Sequence, residues 1–156
     1  MECPICHKHS LHEVRLDTGL LAHQCHQCFG YWISSEHYWE WLQYREQEQR
    51  LSPAPHPAVQ RLATADSLPP VNDNSTANLC ADCGRLMTKA KVGRGLNFYL
   101  DRCSHCHGVW LDQHEWDHLK QQDLHHKIHY MFSSAWQFSV RKETQVQPKR
   151  PAWAAT

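Results

Sequence analysis

Four C-x-x-C pairs constrain the fold of this sequence more than any other feature. All eight cysteines of the chain belong to such pairs, and the pairs form two sets that are spaced almost identically. A C-x-x-C turn presents two sulfurs to one ion, and four thiolates at tetrahedral corners suit Zn²⁺. The sequence therefore predicts two zinc ions per chain. The predicted ligands are Cys3, Cys6, Cys25 and Cys28 in the first set, and Cys80, Cys83, Cys103 and Cys106 in the second.

The two cysteine sets lie within a duplicated segment, here called the first copy (residues 3–44) and the second copy (residues 80–120). Trp110 follows Trp32 at the same interval at which Cys103 follows Cys25. Between the two C-x-x-C knuckles of each copy, alternating residues around a turn predict a β-hairpin, and apolar residues at helical spacing then predict a helix. The predicted fold class is a small metal-stabilised α+β protein. It consists of two tandem zinc ribbons, each a β-hairpin between two knuckles followed by a helix, joined by a flexible linker.

Composition divides the chain into four segments, and the prolines mark the linker. Five of the eight prolines lie between residues 53 and 70, and such a segment buries too little apolar surface to order itself. Because each ribbon has a complete ligand set, we expect the two ribbons to fold independently. In the last segment, alternation of Trp136, Phe138 and Val140 predicts a short strand or a docking segment. The segments are 1–46 (first ribbon plus helix), 47–79 (linker), 80–132 (second ribbon plus extended helix) and 133–156 (C-terminal tail).

Other metals remain compatible with parts of the cysteine pattern. Two knuckles continue into histidine and so match the C-x-x-C-H haem signature, but each has a partner pair that haem would not use. A single iron of the rubredoxin type uses the same four thiolates, and spacing does not separate it from zinc. A dithiol redox role for Cys3 and Cys6 would need a βαβ context, which the sequence does not predict.

Histidines next to the knuckles are predicted to be exposed neighbours rather than ligands, since each set already has four cysteines. These are His7, His26, His105 and His107. A separate cluster at helical spacing, His125, His126 and His129, fits either a further, weaker metal site or a solvated polar face. Trp32 and Trp110 are predicted to pack each helix onto its knuckle as core anchors.

The charge balance and the start of the chain bear on partners and location. Lys plus Arg and Asp plus Glu both number 16, which argues against strong non-specific binding to phosphates. The chain starts Met-Glu-Cys-Pro, without a basic region followed by an apolar run, and no stretch approaches the roughly 18 apolar residues of a membrane span. We expect a protein of the reducing cytoplasm with no membrane partner.

The run from Cys103 to Asp112, followed by Glu115, resembles a known family. The chain is similar to the transcription-factor-type zinc fingers, zinc ribbons like that of transcription factor IIB, with the pattern C-P-x-C, a hairpin, C-x-x-C-x-G-x-W-L-D and a Glu-containing helix. The first copy matches with Ser34 in place of the Asp, and Cys80-Ala81-Asp82-Cys83 lacks the proline. The resemblance covers both copies but neither the linker nor the tail. It implies zinc and the ribbon fold, and little about function.

Three functions follow as hypotheses. The first is a non-enzymatic adaptor that binds a protein partner of unknown identity. The second is nucleic-acid binding or a transcription-associated role, in which Tyr99 stacks on bases while Phe98 points inward. The third, an enzyme, is disfavoured because both metal sites are filled by protein ligands. The basic residues around the second hairpin are Arg85, Lys89, Lys91, Arg94 and Arg102.

Overall fold

The computed structural model describes residues 1–8, 10–51, 68–71 and 73–146, the side chains of 144–146 excepted. The first copy contains three strands and one helix: β1 His12–Asp17, β2 Leu20–Gln24, β3 Tyr31–Ile33 and α1 Ser35–Leu51. The second copy and the segment after it contain three strands and three helices: β4 Thr88–Gly93, β5 Leu96–Arg102, β6 Val109–Leu111, α2 Glu115–Gln121, α3 Ile128–Met131 and α4 Ser134–Val146. None of these described helices is long and apolar enough to cross a membrane.

The two copies form one continuous sheet. The strand order is β1-β2-β3-β6-β5-β4, and β3 pairs antiparallel with β6 so that Trp32 lies opposite Trp110. Because these tryptophans are equivalent positions of the duplication, the pairing is self-complementary, as in a two-fold symmetric dimer. The predicted hairpins β1–β2 and β4–β5 are confirmed. The two copies, which the sequence predicts to fold independently, share one sheet through β3 and β6.

The two faces of the sheet bury different residues. Alternation along β3 and β6 places Trp32 and Trp110 in a cluster with the buried cysteines, while Ile33 and Leu111 belong to the larger core under the helices. Side chains alternate between faces of a strand, so one face carries the cysteine sets and the other carries α1 and α2. This arrangement places both cysteine sets on the same side of the molecule.

Helix α1 of the first copy packs against the segment that follows the second copy. The Tyr38 hydroxyl donates to the carbonyl of His125 and accepts the N–H of Ile128, each at 3.0 Å. The rings of Trp41 and Trp116 meet edge to face with centroids 5.6 Å apart. The two copies therefore share a core as well as a sheet.

The predicted linker is only partly described. Residues 47–51 belong to α1, and residues 52–67 lie outside the described part of the chain. Near its C-terminal end the linker contacts the second copy: the N–H of Asn74 donates to Asp112 at 3.0 Å, and the carbonyl of Pro69 lies 2.7 Å from His118 Nε2. These residues of the predicted flexible linker are therefore docked on the second copy.

The C-terminal segment differs from its prediction. The extended helix ends at Gln121, and α4 replaces the expected strand or tail over residues 134–146. In a helix, Trp136 and Val140 share one face, and Val140 is buried while Phe138 is 54% exposed. Trp136 Nε1 donates to the carbonyl of Val92 at 2.9 Å, so α4 is packed on β4. The alternation of these three large residues was misleading, because so short a segment does not distinguish the two-residue period of a strand from the helical period of about 3.6 residues.

Candidate metal centres

Each knuckle has the same local backbone. The residue after the second cysteine has a positive φ in all four: His7 at 61°, Phe29 at 61°, Gly84 at 76° and His107 at 62°. This conformation closes a turn, as when the N–H of His107 donates to the carbonyl of Cys103 at 2.8 Å. The turn also directs backbone N–H groups at the first sulfur, for example Cys6 N to Cys3 Sγ at 3.3 Å and Cys106 N to Cys103 Sγ at 3.3 Å. Such donors stabilise thiolates.

The sulfurs of each set converge at distances that suit a tetrahedral ion. Sγ atoms lie 3.6 Å apart for Cys3 and Cys28, 3.9 Å for Cys6 and Cys25, and 3.5 Å for Cys83 and Cys103. Tetrahedral zinc with bonds of about 2.3 Å places its sulfurs about 3.8 Å apart, whereas a disulfide joins sulfurs at about 2.0 Å. All eight thiols are free, and each set of four lies within 4.8 Å.

The pKa shifts of the thiols in the first cysteine set indicate why this site suits a cation. The Cys28 thiol beside Cys3 lowers the pKa of Cys3 to about 5. Burial raises the pKa of Cys6 to about 11, and contact with Cys3 raises the pKa of Cys28. Once one thiolate has formed, it opposes ionisation of its neighbours. Four thiolates can therefore coexist only around a positive ion.

The second set behaves in the same way. Burial opposes ionisation of Cys103, but N–H groups of Cys106 and His105 outweigh it and lower the pKa to about 7. Burial raises the pKa of Cys80, and contact with Cys83 raises that of Cys106. Two sets of soft donors at tetrahedral spacing thus fit two resident Zn²⁺ ions.

Comparison with known proteins agrees with this geometry. The Transcription factor zinc-finger family matches residues 2–44 and 79–122, which is more than half of the chain and includes one complete cysteine set in each match. The chain belongs to this family. No curated protein and no solved structure matches it. Two tandem zinc-finger copies, each binding one Zn²⁺, are therefore confirmed.

The two zinc-finger copies meet at a pair of glycines whose role the sequence did not reveal. Gly30 and Gly108 do not adopt positive φ, so the knuckle turn does not require them. An added Cβ at Gly30 would lie 2.8 Å from Cη2 of Trp110, and one at Gly108 would lie 2.6 Å from Cη2 of Trp32. Each indole therefore rests on the glycine of the other copy. The repeated G-x-W spacing was the signal available in the sequence. This spacing does not say whether the tryptophan of the same copy or that of the other copy packs on each glycine.

The neighbouring histidines do not join the cysteine clusters among the described residues. His107 Nδ1 instead lies 2.7 Å from the Arg102 guanidinium, and the rings of His12 and His26 stack at 4.2 Å. These positions agree with the prediction of non-ligand neighbours.

The histidine cluster in the structure of the zinc-finger protein contains different residues from the predicted one. Asp123, His125 and His126 have ligand atoms within 4.8 Å of one another, and His129 is not part of that group. His125 is 6% exposed, which excludes the solvated-face interpretation for this residue. Burial, and then the charge of Arg45, lower the pKa of His125 to about 3. His125 is therefore a neutral core residue that contacts the Trp41 ring at a tilted angle and the Trp116 ring edge to face.

Most of the basic residues around the second hairpin have intramolecular partners. Lys89 pairs with Asp101 at 2.8 Å, and Arg94 pairs with Glu143 of α4. The Arg102 guanidinium lies over the Phe132 ring at 5.3 Å. The predicted directions of the aromatics are confirmed, since Phe98 is 3% exposed and Tyr99 is 41% exposed.

Proposed function

We propose that this zinc-finger protein is a non-enzymatic adaptor that binds a protein partner in a groove beside α1. The observation that carries the proposal is a pair of adjoining depressions, one of about 210 Å³ and one of about 630 Å³, that share Trp39 and His129. Ile33, Val109 and Ile128 line the smaller one. Trp39 is 47% exposed and Tyr130, beside the larger one, is 57% exposed.

Exposed aromatic residues around an apolar depression support a protein partner. Interfaces are enriched in Trp and Tyr, and their strongest contacts fill desolvated pockets. The groove is formed jointly by α1 of the first copy and α3 after the second. A rigid platform built from both copies accounts for the use of two zinc ions better than two loosely joined modules do.

The absence of catalysis is part of the proposal. A catalytic zinc usually keeps one coordination position open for water or substrate, and each set here supplies four thiolates. A cytoplasmic location agrees with eight free thiols, since a reducing compartment keeps cysteines available for zinc.

Nucleic-acid binding is the alternative, and one feature favours it. Tyr99 is exposed and lies opposite Lys91 in the β4–β5 register, so an aromatic surface stands beside a cation. The pairing of Lys89 and Arg94 with carboxylates argues the other way, because these cations are already neutralised.

Two matched variants separate the functions. Trp39→Ala and Tyr99→Ala each remove one exposed aromatic side chain from a different surface, so both proteins should retain zinc and fold. Tagged proteins are used for capture from lysate with and without nuclease. We expect a partner that survives nuclease and is lost only with Trp39→Ala, then binds again as a purified protein. Binding that disappears with nuclease and with Tyr99→Ala would establish the alternative, and binding unaffected by Trp39→Ala would refute the groove.

A further inference from the structure

The groove beside α1 continues into a third depression, and cations predominate along its whole length. The third depression, of about 360 Å³, adjoins the smaller one because Arg102 and His107 line both. The groove therefore extends from α1 past Trp39 to Phe132. Of the described Lys, Arg, Asp and Glu residues that line it, four are cations and one is a carboxylate. These residues are Arg45, Lys89, Arg102, Lys127 and Glu46.

Three of these cations lack a carboxylate partner within the described part of the chain. Lys89 is paired with a carboxylate, but no ion pair of the described residues includes Arg45, Arg102 or Lys127. The two guanidinium groups instead contact aromatic rings and histidine nitrogens, which carry no negative charge. Burial, and then the charge of Arg102, lower the pKa of His129 in the groove. The surface around the groove is therefore positive.

The segments of this chain outside the described residues do not supply the complementary negative charge. Residues 52–67 contain one Arg and one Asp, and residues 147–156 contain one Lys and one Arg but no Asp or Glu. Binding surfaces are arranged so that a positive patch meets a negative one. The charge that complements the groove therefore has to come from another molecule.

The smaller depression favours an apolar side chain over a nucleobase. Ile33, Val109 and Ile128 line it, and the hydroxyl of Tyr38, a further lining residue, already bonds two backbone groups. A base placed against these aliphatic walls would leave polar atoms without partners, which costs free energy. A leucine or phenylalanine side chain has no such atoms, so a peptide fits the depression better than a nucleic acid does.

We propose that the occupant of the groove is an acidic segment of a partner protein. An aliphatic or aromatic side chain of this segment fills the smaller depression, and its carboxylates lie beside Arg102 and Lys127. Arg102 lines the smaller and third depressions, whereas Lys127 lines the larger one, so cations flank the apolar part on both sides. An arginine can bind a carboxylate through two parallel hydrogen bonds. This inference rests on the proposed function and adds the chemistry of the partner.

Selection from a displayed library of random peptides tests this chemistry on the zinc-loaded full chain. The library is first depleted on Trp39→Ala and then selected on the parent protein, so that the recovered peptides depend on the groove. We expect sequences in which Asp and Glu flank an apolar residue. Binding of the corresponding synthetic peptides, measured by fluorescence anisotropy, should weaken as salt is added, because ions screen exposed charges.

Charge reversal of Lys127 tests the predicted ion pairs. Lys127 is exposed, and Lys127→Glu should weaken binding of the acidic peptides by about threefold to tenfold, since one exposed attraction is replaced by a repulsion. A peptide with Lys in place of its Asp and Glu should bind this variant better than it binds the parent. Lys142→Glu is the matched control, because Lys142 is equally exposed but does not line the groove. Zinc content and circular dichroism check the fold of each variant.

The outcomes separate this inference from the proposed function. Groove-dependent peptides that are neutral or basic, or equal effects of Lys127→Glu and Lys142→Glu, would overturn the acidic occupant and leave the groove as a site for a protein partner. Failure to recover any peptide that depends on Trp39 would overturn both. So would binding of a single-stranded DNA probe, or self-association in sedimentation, that is lost with Trp39→Ala, because the groove would then have a different occupant.

Discussion

Replacement of Gly108 by alanine should destabilise the protein through a residue of the other copy. The added Cβ would lie 2.6 Å from Cη2 and 3.1 Å from Cε2 of Trp32, well inside the ordinary separation of about 3.5–4.0 Å between carbon atoms. The indole has little freedom to move, since Trp32 is 1% exposed and packed among the cysteines. The substitution therefore tests whether the two copies share one interior.

The expected loss combines two opposing effects. Overpacking of a closed interior costs about 1–3 kcal/mol. Alanine also restricts the unfolded chain, which returns about 0.4–1 kcal/mol where the native φ suits it, and Gly108 does not need positive φ. We expect a net destabilisation of about 1–2 kcal/mol. It should affect both copies rather than the second copy alone.

Denaturant unfolding at a fixed free zinc concentration measures this loss, since zinc stabilises by mass action. The decisive comparison uses Trp32→Phe, which removes the six-membered indole ring that the new Cβ would meet. In that background Gly108→Ala should cost less than about 0.5 kcal/mol. Gly95→Ala is the control: its φ is +85°, and an added Cβ there would meet no atom of the described residues within 4 Å, so its cost should not depend on Trp32. Equal costs of Gly108→Ala in both backgrounds would refute the packing argument.

Three further predictions concern the metal, the coupling and pH. Native mass spectrometry of the protein expressed with zinc should show two zinc ions in the thiolate sites; one ion, or iron with its visible absorption, would contradict the zinc assignment. Cys106→Ser should reduce amide-exchange protection in β3 as well as in β5 and β6, because β3 pairs with β6; full protection of β3 would show independent copies. Because the folded pKa of His125 is lowered to about 3, its contribution to stability is present above about pH 6.5 and is lost as pH falls, by about 2 kcal/mol at pH 5. The zinc-saturated His125→Gln variant should lack that part of the slope, and identical pH profiles would contradict a neutral buried His125.

The local features were predictable because they depend on short segments. The C-x-x-C turns, the hairpins and the inward Phe98 follow from ligand chemistry, turn residues and alternation, which act within a few residues. The start of α2 forms half of a capping box. Glu115 accepts the Asp112 N–H, whereas the Asp112 carboxylate accepts hydrogen bonds from Asn74 and Trp110.

The joining of the copies was not predictable from the same signals. Strands β3 and β6 are only three residues long, and no pattern of that length specifies a partner in the other copy. The buried Glu115 illustrates the same limit, since its environment includes Asp73 from a segment that composition assigned to a linker. Long-range pairing and docking depend on surfaces that exist only after each hairpin has formed.

Departures from the internal symmetry indicate where the copies have acquired separate roles. At the centre the two-fold relation is strict, because Trp32 and Trp110 occupy each other's glycine gaps and any change there affects both sides. Away from the centre it fails: α1 continues to Leu51, whereas α2 ends at Gln121 and gives way to α3 and α4. The groove lined by Trp39 lies where the long helix of one copy meets the added helices of the other. The duplicated zinc scaffold is thus symmetric at its centre, and its asymmetric periphery contains the groove that we propose as the binding surface.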